Sequence, residues 1–317
     1  MPLERLRSAD DWVVHFGGTR KPTIVTIGNF DGVHLGHQKI LRSAIERARQ
    51  ENLMASVLTF FPHTARVLRP NDAPSLLQTI DQRLAAFDAT GIDAALVLRF
   101  DEELAQVTAE AFVKRFLVDT MRARAVFVGP NFRFGHRHVG DVRLLKSLGS
   151  ELGFEVEVVT GVTVDGVLVS SSAIRQAIRE GQVDSARKML GRPYSLSGEI
   201  RPATGQGRKL TAPTLNLSTS QELLPRNGVY ATETVLGAGS YHSATNVGTR
   251  PTFDGNTTSV ESHLFDFSEN LTGGEMEVRF WKRMRDEHRF SSPDALREQI
   301  QKDLKQVQDY FGAKQSG

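Results

Sequence analysis

Thr23-Ile24-Val25-Thr26-Ile27-Gly28-Asn29-Phe30-Asp31-Gly32-Val33-His34-Leu35-Gly36-His37 decides the fold. With Pro22, the run to Ile27 is apolar and β-branched and reads as a buried strand. From Gln38 to Gln50, Ile40, Leu41, Ala44, Ile45 and Ala48 recur at helical spacing. The glycine-rich segment between them is therefore a strand-to-helix turn. In an open α/β sheet such a turn lies at the carboxyl end of a strand, where ligands bind. Gly28, Gly32 and Gly36 let the backbone come close to something bulky. His34 and His37 are three apart, so both imidazoles can face one point above the turn. The first N–H groups of the helix add partial positive charge. Two histidines, glycines and a helix N-terminus together suit a polyphosphate under attack. The His-x-Gly-His spacing arises by chance in roughly 0.02 chains of this composition, so it is more than a loop with two surface histidines. A zinc site needs a third ligand; His63, His136 and His138 are at hand, but there is no Cys and no HExxH.

Outward from that turn the first half alternates strand and helix. Met54–Phe60, Ala94–Leu98, Ala125–Val128 and Phe154–Val159 read as strands, and Thr79–Thr90 as a helix. Thr108 is placed to cap a helix over Ala109–Val113, with Glu110 one position early for a full capping box. This rhythm predicts a doubly wound parallel sheet. Three loops carry chemistry besides the first. Thr59-Phe60-Phe61-Pro62-His63 follows the second strand. Gly129-Pro130-Asn131-Phe132-Arg133-Phe134-Gly135 follows the fourth, where Asn131 can bond a ribose or phosphate and the aromatics can stack on a ring. Ser170, Ser171 and Ser172 open a helix containing Arg175; they are either caps or phosphate donors.

Leu190-Gly191-Arg192-Pro193-Tyr194 ends this pattern. Beyond it come short extended runs: Tyr194–Ile200, Val229–Leu236, Tyr241–Val247, Ser259–Phe267 and Met276–Trp281. They predict a small antiparallel barrel. Ser292-Pro293-Asp294 then starts a last helix with Leu296, Ile300, Leu304, Val307 and Phe311 on one face. Gly205-Gln206-Gly207-Arg208-Lys209 is a Gly-rich basic loop that can hold phosphates, though it lacks the Walker ending. Pro213-Thr214-Leu215-Asn216 reads on its own as a hydroxyl-rich turn. In Val260-Glu261-Ser262-His263-Leu264-Phe265, alternation puts Glu261, His263 and Phe265 on one face.

The bulk numbers fit two globular domains in 317 residues with 39% hydrophobic content. A formal charge of +2 is too small to mark a nucleic-acid binder. There is no Cys, no apolar signal core at the start and no run long enough to span a membrane. A soluble cytoplasmic protein is the expectation, with an oligomeric state that the sequence leaves open.

In order, these motifs resemble those of the bacterial bifunctional riboflavin kinase/FAD synthetases. GNFDGVHLGH resembles that family's first motif. TFFPH resembles its TFxPHP, with Thr64 in place of Pro. PNFRFG resembles xNFRFG, and SSSAIR resembles SSTxIR. LGRPY matches the junction between modules. PTLN resembles PTAN, with Leu215 for Ala and Thr211-Ala212 for Gly-Phe. NVGTRPTF, VESHLFDF and Arg285-Asp286-Glu287 with Phe290 also correspond, while Thr272 stands where the family has Tyr.

The resemblance implies a Rossmann-like FMN adenylyltransferase domain over 1–186 and a barrel-type riboflavin kinase domain over 187–317. It implies Mg²⁺, with ATP as co-substrate, and riboflavin, FMN and FAD as the other partners. ATP at the first site would meet Gly28, Phe30, Asp31, His34, His37, Asn131, Ser170, Ser171, Ser172 and Arg175, and flavin would meet Phe60, Pro62 and His63. At the second site, ATP would meet Gly207, Arg208, Lys209, Pro213, Thr214 and Asn216, and Thr214 and Asn216 would also hold the metal. Glu261 would be the general base, and Glu261, Arg285 and Phe290 would hold riboflavin. Two other outcomes stay open: an adenylyltransferase whose kinase half is weakened by the changes around Thr211 to Leu215, and a flavin-binding protein without turnover.

Overall fold

The computed structural model describes residues 2–17, 21–201, 214–252, 255–269, 271–288 and 290–315. The expected site residues Gly207, Arg208, Lys209 and Pro213 lie outside them. Two compact units emerge, Met1–Ser171 and Ser172–Gly317.

The first unit runs β1 (Glu4–Leu6), α1 (Ala9–Phe16), β2 (Thr23–Ile27), α2 (Leu35–Glu51), β3 (Met54–Phe61), α3 (Thr64–Leu68), α4 (Ile80–Asp88), β4 (Ala94–Arg99), α5 (Glu102–Ala105), α6 (Ala109–Phe112), β5 (Ala123–Val128), α7 (Val142–Leu152), β6 (Glu155–Val158) and the small hairpin β7 (Thr163–Val164) and β8 (Val167–Leu168). Helix α6 continues into a π-helical segment, Val113–Thr120. Strands β1 to β6 form one parallel sheet in the order β1-β4-β3-β2-β5-β6. Every residue of β2 is buried, as expected of a strand covered on both faces. One core lies beneath α2 and α4, with Leu41, Ala44 and Phe87 against Ile24, Val57 and Ala95. The other joins Trp12, Phe112, Phe116 and Leu145 to Val25, Leu58 and Val126.

The sequence reading differs from this at several places. The pattern shows no element before β2, yet Glu4, Arg5 and Leu6 pair with Ala94, Ala95 and Leu96. A strand of three residues carries too short a pattern to register as periodicity. Helix α2 starts at Leu35 rather than Gln38, because His34 caps it. Thr79 forms a reciprocal capping box with Gln82 that went unread, whereas Thr108 caps α6 as expected, accepting from the Ala111 amide.

The second unit runs α8 (Ser171–Arg179, whose first residue closes the first unit), α9 (Val183–Leu190), β9 (Tyr194–Arg201), β10 (Thr214–Ser218), β11 (Gly228–Leu236), β12 (Gly239–Thr252), β13 (Gly255–Leu264), β14 (Glu275–Arg285) and α10 (Pro293–Gln315). Strands β9 to β14 close an antiparallel barrel in the order β10-β13-β12-β11-β14-β9. The turn expected at Thr214–Asn216 is instead β10. Leu215 and Leu217 are buried while Thr214, Asn216 and Ser218 are only partly so, which is strand alternation. Helix α10 lays Val307 and Phe311 on Ala231 and Ala244 of the barrel wall. The barrel also holds a chain of buried hydroxyls, Thr234–Ser243–Thr232–Thr245–Ser262, whose successive contacts are 2.6 to 2.8 Å. Each hydroxyl is thereby satisfied without water.

Candidate functional site

The strand order of the first unit reverses between β2 and β5, which are hydrogen-bonded neighbours. Ligands bind in the crevice outside such a switch point. Two of the loops read from sequence lie there, residues 28–34 after β2 and residues 129–135 after β5. The first is tightly wound: Phe30, Gly32 and Val33 have φ of 49°, 89° and 37°. For a β-branched residue such as Val33 this is a strained conformation, of a kind that clusters at functional sites. Asp31 is buried, and its carboxylate accepts from the Leu77 amide at 3.0 and 3.1 Å. The Asp31 carbonyl accepts from the Ser171 hydroxyl at 2.9 Å. Asp31 therefore ties the loop to two distant segments. Gly28 and Gly36 each sit against one of the chain's own rings. A Cβ on Gly28 would lie 3.3 Å from the Phe30 ring, and one on Gly36 would lie 3.2 Å from the His34 ring. These glycines make room for the chain's own rings.

His34 and His37 do converge. Their rings stack at 3.6 Å between centroids and 16° between planes. His34 Nδ1 accepts from the His37 amide at 3.3 Å and so caps α2. A neutral His34 therefore carries its proton on Nε2. His37 packs edge-on to Phe30, 5.1 Å between centroids, and its Nδ1 is buried with no hydrogen-bond partner. Burial, then the neighbouring His34, then the cation of Arg83 push the His37 imidazole well below the ordinary histidine range. His37 is neutral at pH 7. The pair thus sets a neutral His37 against the His34 ring beside a helix N-terminus.

Beside the switch point a cleft of about 300 Å³ brings together Gly28, Phe60, Asn131 and the stacked pair Phe132 and Phe134. Pro62 follows a cis peptide bond. His63 caps α3, its Nδ1 accepting from the Ala65 amide at 3.2 Å. Ser170 is partly exposed, Ser171 begins α8, Ser172 is exposed and Arg175 is buried.

In the barrel, Thr214, Asn246, Glu261, His263, Arg285 and Phe290 line a second cleft of about 420 Å³. Asn216 faces Glu261 across the β10–β13 ladder, and Thr214 faces His263. Asn216 Nδ2 is buried without a partner. Arg285 lies 5.9 Å from the Phe290 ring centroid and makes a bidentate pair with Asp303 of α10, at 2.6 and 2.8 Å. Gln299 adds a third bond to that carboxylate at 2.8 Å. Among the described residues, no group of three or more His, Cys, Asp or Glu is placed to hold a metal unaided.

Sequence reasoning missed Asp303 and Arg83. Nothing in the pattern of α10 marks Asp303. Arg83 left a signal: Ile80, Leu84 and Phe87 define the buried face of α4, and Arg83 falls on it, so a cation occupies an apolar position.

The family model for FAD synthetase matches residues 18–173, and that for riboflavin kinase matches residues 190–311. A bifunctional riboflavin kinase/FMN adenylyltransferase of Escherichia coli strain K12 is 36% identical over 291 residues, 91% of this chain and 93% of the relative. One from Haemophilus influenzae is 33% identical, over 91% of this chain and 94% of the relative. Among solved structures, one described as a macrolide-efflux protein from Streptococcus pneumoniae superposes with a TM-score of 0.87 and 29% identity, over 97% of this chain and 99% of that one. That description is said of that protein; among the described residues here, no helix is long and apolar enough to cross a membrane. Two family matches in the expected order, on a parallel-sheet unit followed by a closed barrel, place the chain in the bifunctional riboflavin kinase/FMN adenylyltransferase family.

Proposed function

We propose how this chain's residues divide the two reactions of its family. The chain phosphorylates riboflavin to FMN with one ATP and adenylylates FMN to FAD with another. We assign adenylyl transfer to 1–186 and the kinase to 187–317. In the first reaction an FMN phosphate oxygen attacks the α-phosphorus of ATP, forming the new P–O–P bridge as the bond to pyrophosphate breaks. No covalent enzyme intermediate is needed, so catalysis comes from placement and charge stabilisation. His34, with Nε2–H as donor, and neutral His37 hydrogen-bond the α-phosphate oxygens as negative charge grows. Gly28, Phe30 and Asp31 shape the turn, and Asn131 holds the nucleotide. The hydroxyls of Ser170, Ser171 and Ser172 and the cation of Arg175 hold the leaving pyrophosphate. Phe60, Pro62 and His63 form the flavin side. The stacked, capped histidine pair carries this reading.

In the second reaction Glu261 takes the proton of riboflavin's terminal ribityl hydroxyl, whose oxygen attacks the γ-phosphorus while ADP leaves. Arg285 and Phe290 hold the flavin in the cleft that Glu261 lines. Gly207, Arg208, Lys209 and Pro213, outside the described residues, are assigned to ATP from the sequence alone. Thr214 and Asn216 supply uncharged oxygens, hard donors of the kind Mg²⁺ takes alongside nucleotide phosphates. Asn216's buried Nδ2, one strand across from Glu261, is an unpartnered donor, so it fits an acceptor oxygen of the nucleotide at this point rather than the metal. When bound, Mg²⁺ screens the phosphate charge.

The test is chromatographic separation of riboflavin, FMN and FAD after incubation with ATP and Mg²⁺. FMN formation lost in Glu261→Gln, with supplied FMN still converted to FAD, supports the division. Both activities surviving in that variant would refute it.

A further inference from the structure

Arg83 is fully buried in α4. Nη1 donates to the Phe60 carbonyl at 3.1 Å and lies 3.5 Å from the Thr59 hydroxyl, which itself donates to the Asn29 carbonyl at 3.3 Å. These bonds join α4 to the end of β3, where the flavin-side loop begins, and to the turn after β2. Nε and Nη2 have no hydrogen-bond partner. The Phe30 ring meets His37 on one side and Phe87 on the other, at 5.1 and 5.6 Å. Phe87 lies one helical turn beyond Arg83 on the same face of α4, and the Arg83 charge is near enough to bear on His37.

A leucine or methionine would fill this position without desolvating a charge. The cation is held although two of its three nitrogens are unpaired, which is a cost that a purely structural position avoids. Arginine does not discharge in proteins, so the site keeps a permanent positive charge. A fixed charge in a dry layer behind the reacting phosphate stabilises developing negative charge without touching it.

We propose that Arg83 is a positioning residue of adenylyl transfer: its buried guanidinium anchors the end of β3 and supplies a fixed positive charge behind His34 and His37. This rests on the assignment of adenylyl transfer to the first unit. The groups bearing on His37 are His34, from its own turn, and Arg83, from α4; Asp31, from the turn before α2, bears on Arg83. Arg83 thus helps to keep His37 neutral.

Three full-length variants separate charge from packing. Arg83→Met removes charge and bonds but keeps an unbranched stem. Arg83→Lys keeps the charge. Arg83→Gln keeps a donor for the Phe60 carbonyl without charge, and replaces Arg83→Met if that variant does not fold. Each is assayed for FMN-to-FAD and riboflavin-to-FMN turnover, and His37 is titrated by NMR on ¹³C-histidine protein. In the neutral variants kcat for FAD formation falls roughly 10- to 100-fold, with KM values less affected. Their riboflavin phosphorylation is retained and His37 titrates at higher pH than in wild type. Arg83→Lys restores the His37 titration and part of kcat. A neutral variant with wild-type kcat overturns the proposal. So does a fall in kcat that Arg83→Lys does not relieve and that leaves the His37 titration in place, because that is a packing defect. If wild type itself forms no FAD from FMN, the underlying assignment has failed instead.

Discussion

His34 both caps α2 through Nδ1 and stacks on His37. Replacing His34 by Ala removes both, so FAD formation should be lost while riboflavin phosphorylation persists. Loss of the cap alone should lower the stability of the first unit by about 1 kcal/mol in a denaturant titration. Gly36 offers a gentler probe. A Cβ there would press on the His34 ring at 3.2 Å, displacing it by a few tenths of an ångström. Gly36→Ala should reduce kcat for FAD formation about tenfold, since small misplacements at a reacting centre are costly; an unchanged kcat would mean the His34 position is uncritical. His37 adds a pH dependence. Its folded value lies below the unfolded value of about 6.5. As pH falls below that value the unfolded chain takes up a proton that the folded chain refuses, so stability declines, by at most about 1.4 kcal/mol per pH unit. Unfolding midpoints measured between pH 7 and 5 should show a slope that His37→Asn lacks. The histidines were legible because the motif is short and local. The room that Gly36 makes for His34, and the cation behind His37, depend on contacts between segments that the sequence does not place together.

Elements show the same division. Strand β2 and helix α2 announce themselves by unbroken periodicity, and the structure carries both. Strand β10 looks like a turn in sequence because five residues rich in hydroxyl and amide groups give a weak alternation; it is a strand because β9 and β13 pair with it on both sides. That pairing puts Asn216 opposite Glu261, which no local pattern reveals. The last helix was legible from its apolar stripe, yet its tie to the barrel was not. Asp303 is buried and joins α10 to β14 through Arg285. Asp303→Ala should cost about 3 kcal/mol, because it leaves Arg285 partly buried and unpaired. Since Arg285 lines the cleft proposed to hold flavin, KM for riboflavin should rise more than kcat falls. An unaltered KM would show that the pair only fastens the helix.

At the scale of the whole molecule, the chain pairs a parallel sheet with a switch-point cleft and a barrel with a cleft of its own, and each matches a different family model. Fold class was legible because the change from long alternating elements to short extended runs is a global feature of the pattern. The central claim is that two separate sets of residues run two successive reactions. The most direct measurement follows riboflavin, FMN and FAD over time by chromatography for wild type, Glu261→Gln and His34→Ala, each with ATP and Mg²⁺. Wild type should pass from riboflavin through FMN to FAD, Glu261→Gln should stop at riboflavin yet convert supplied FMN, and His34→Ala should accumulate FMN. Loss of both activities in either variant, or wild type that leaves riboflavin unchanged, would contradict the account.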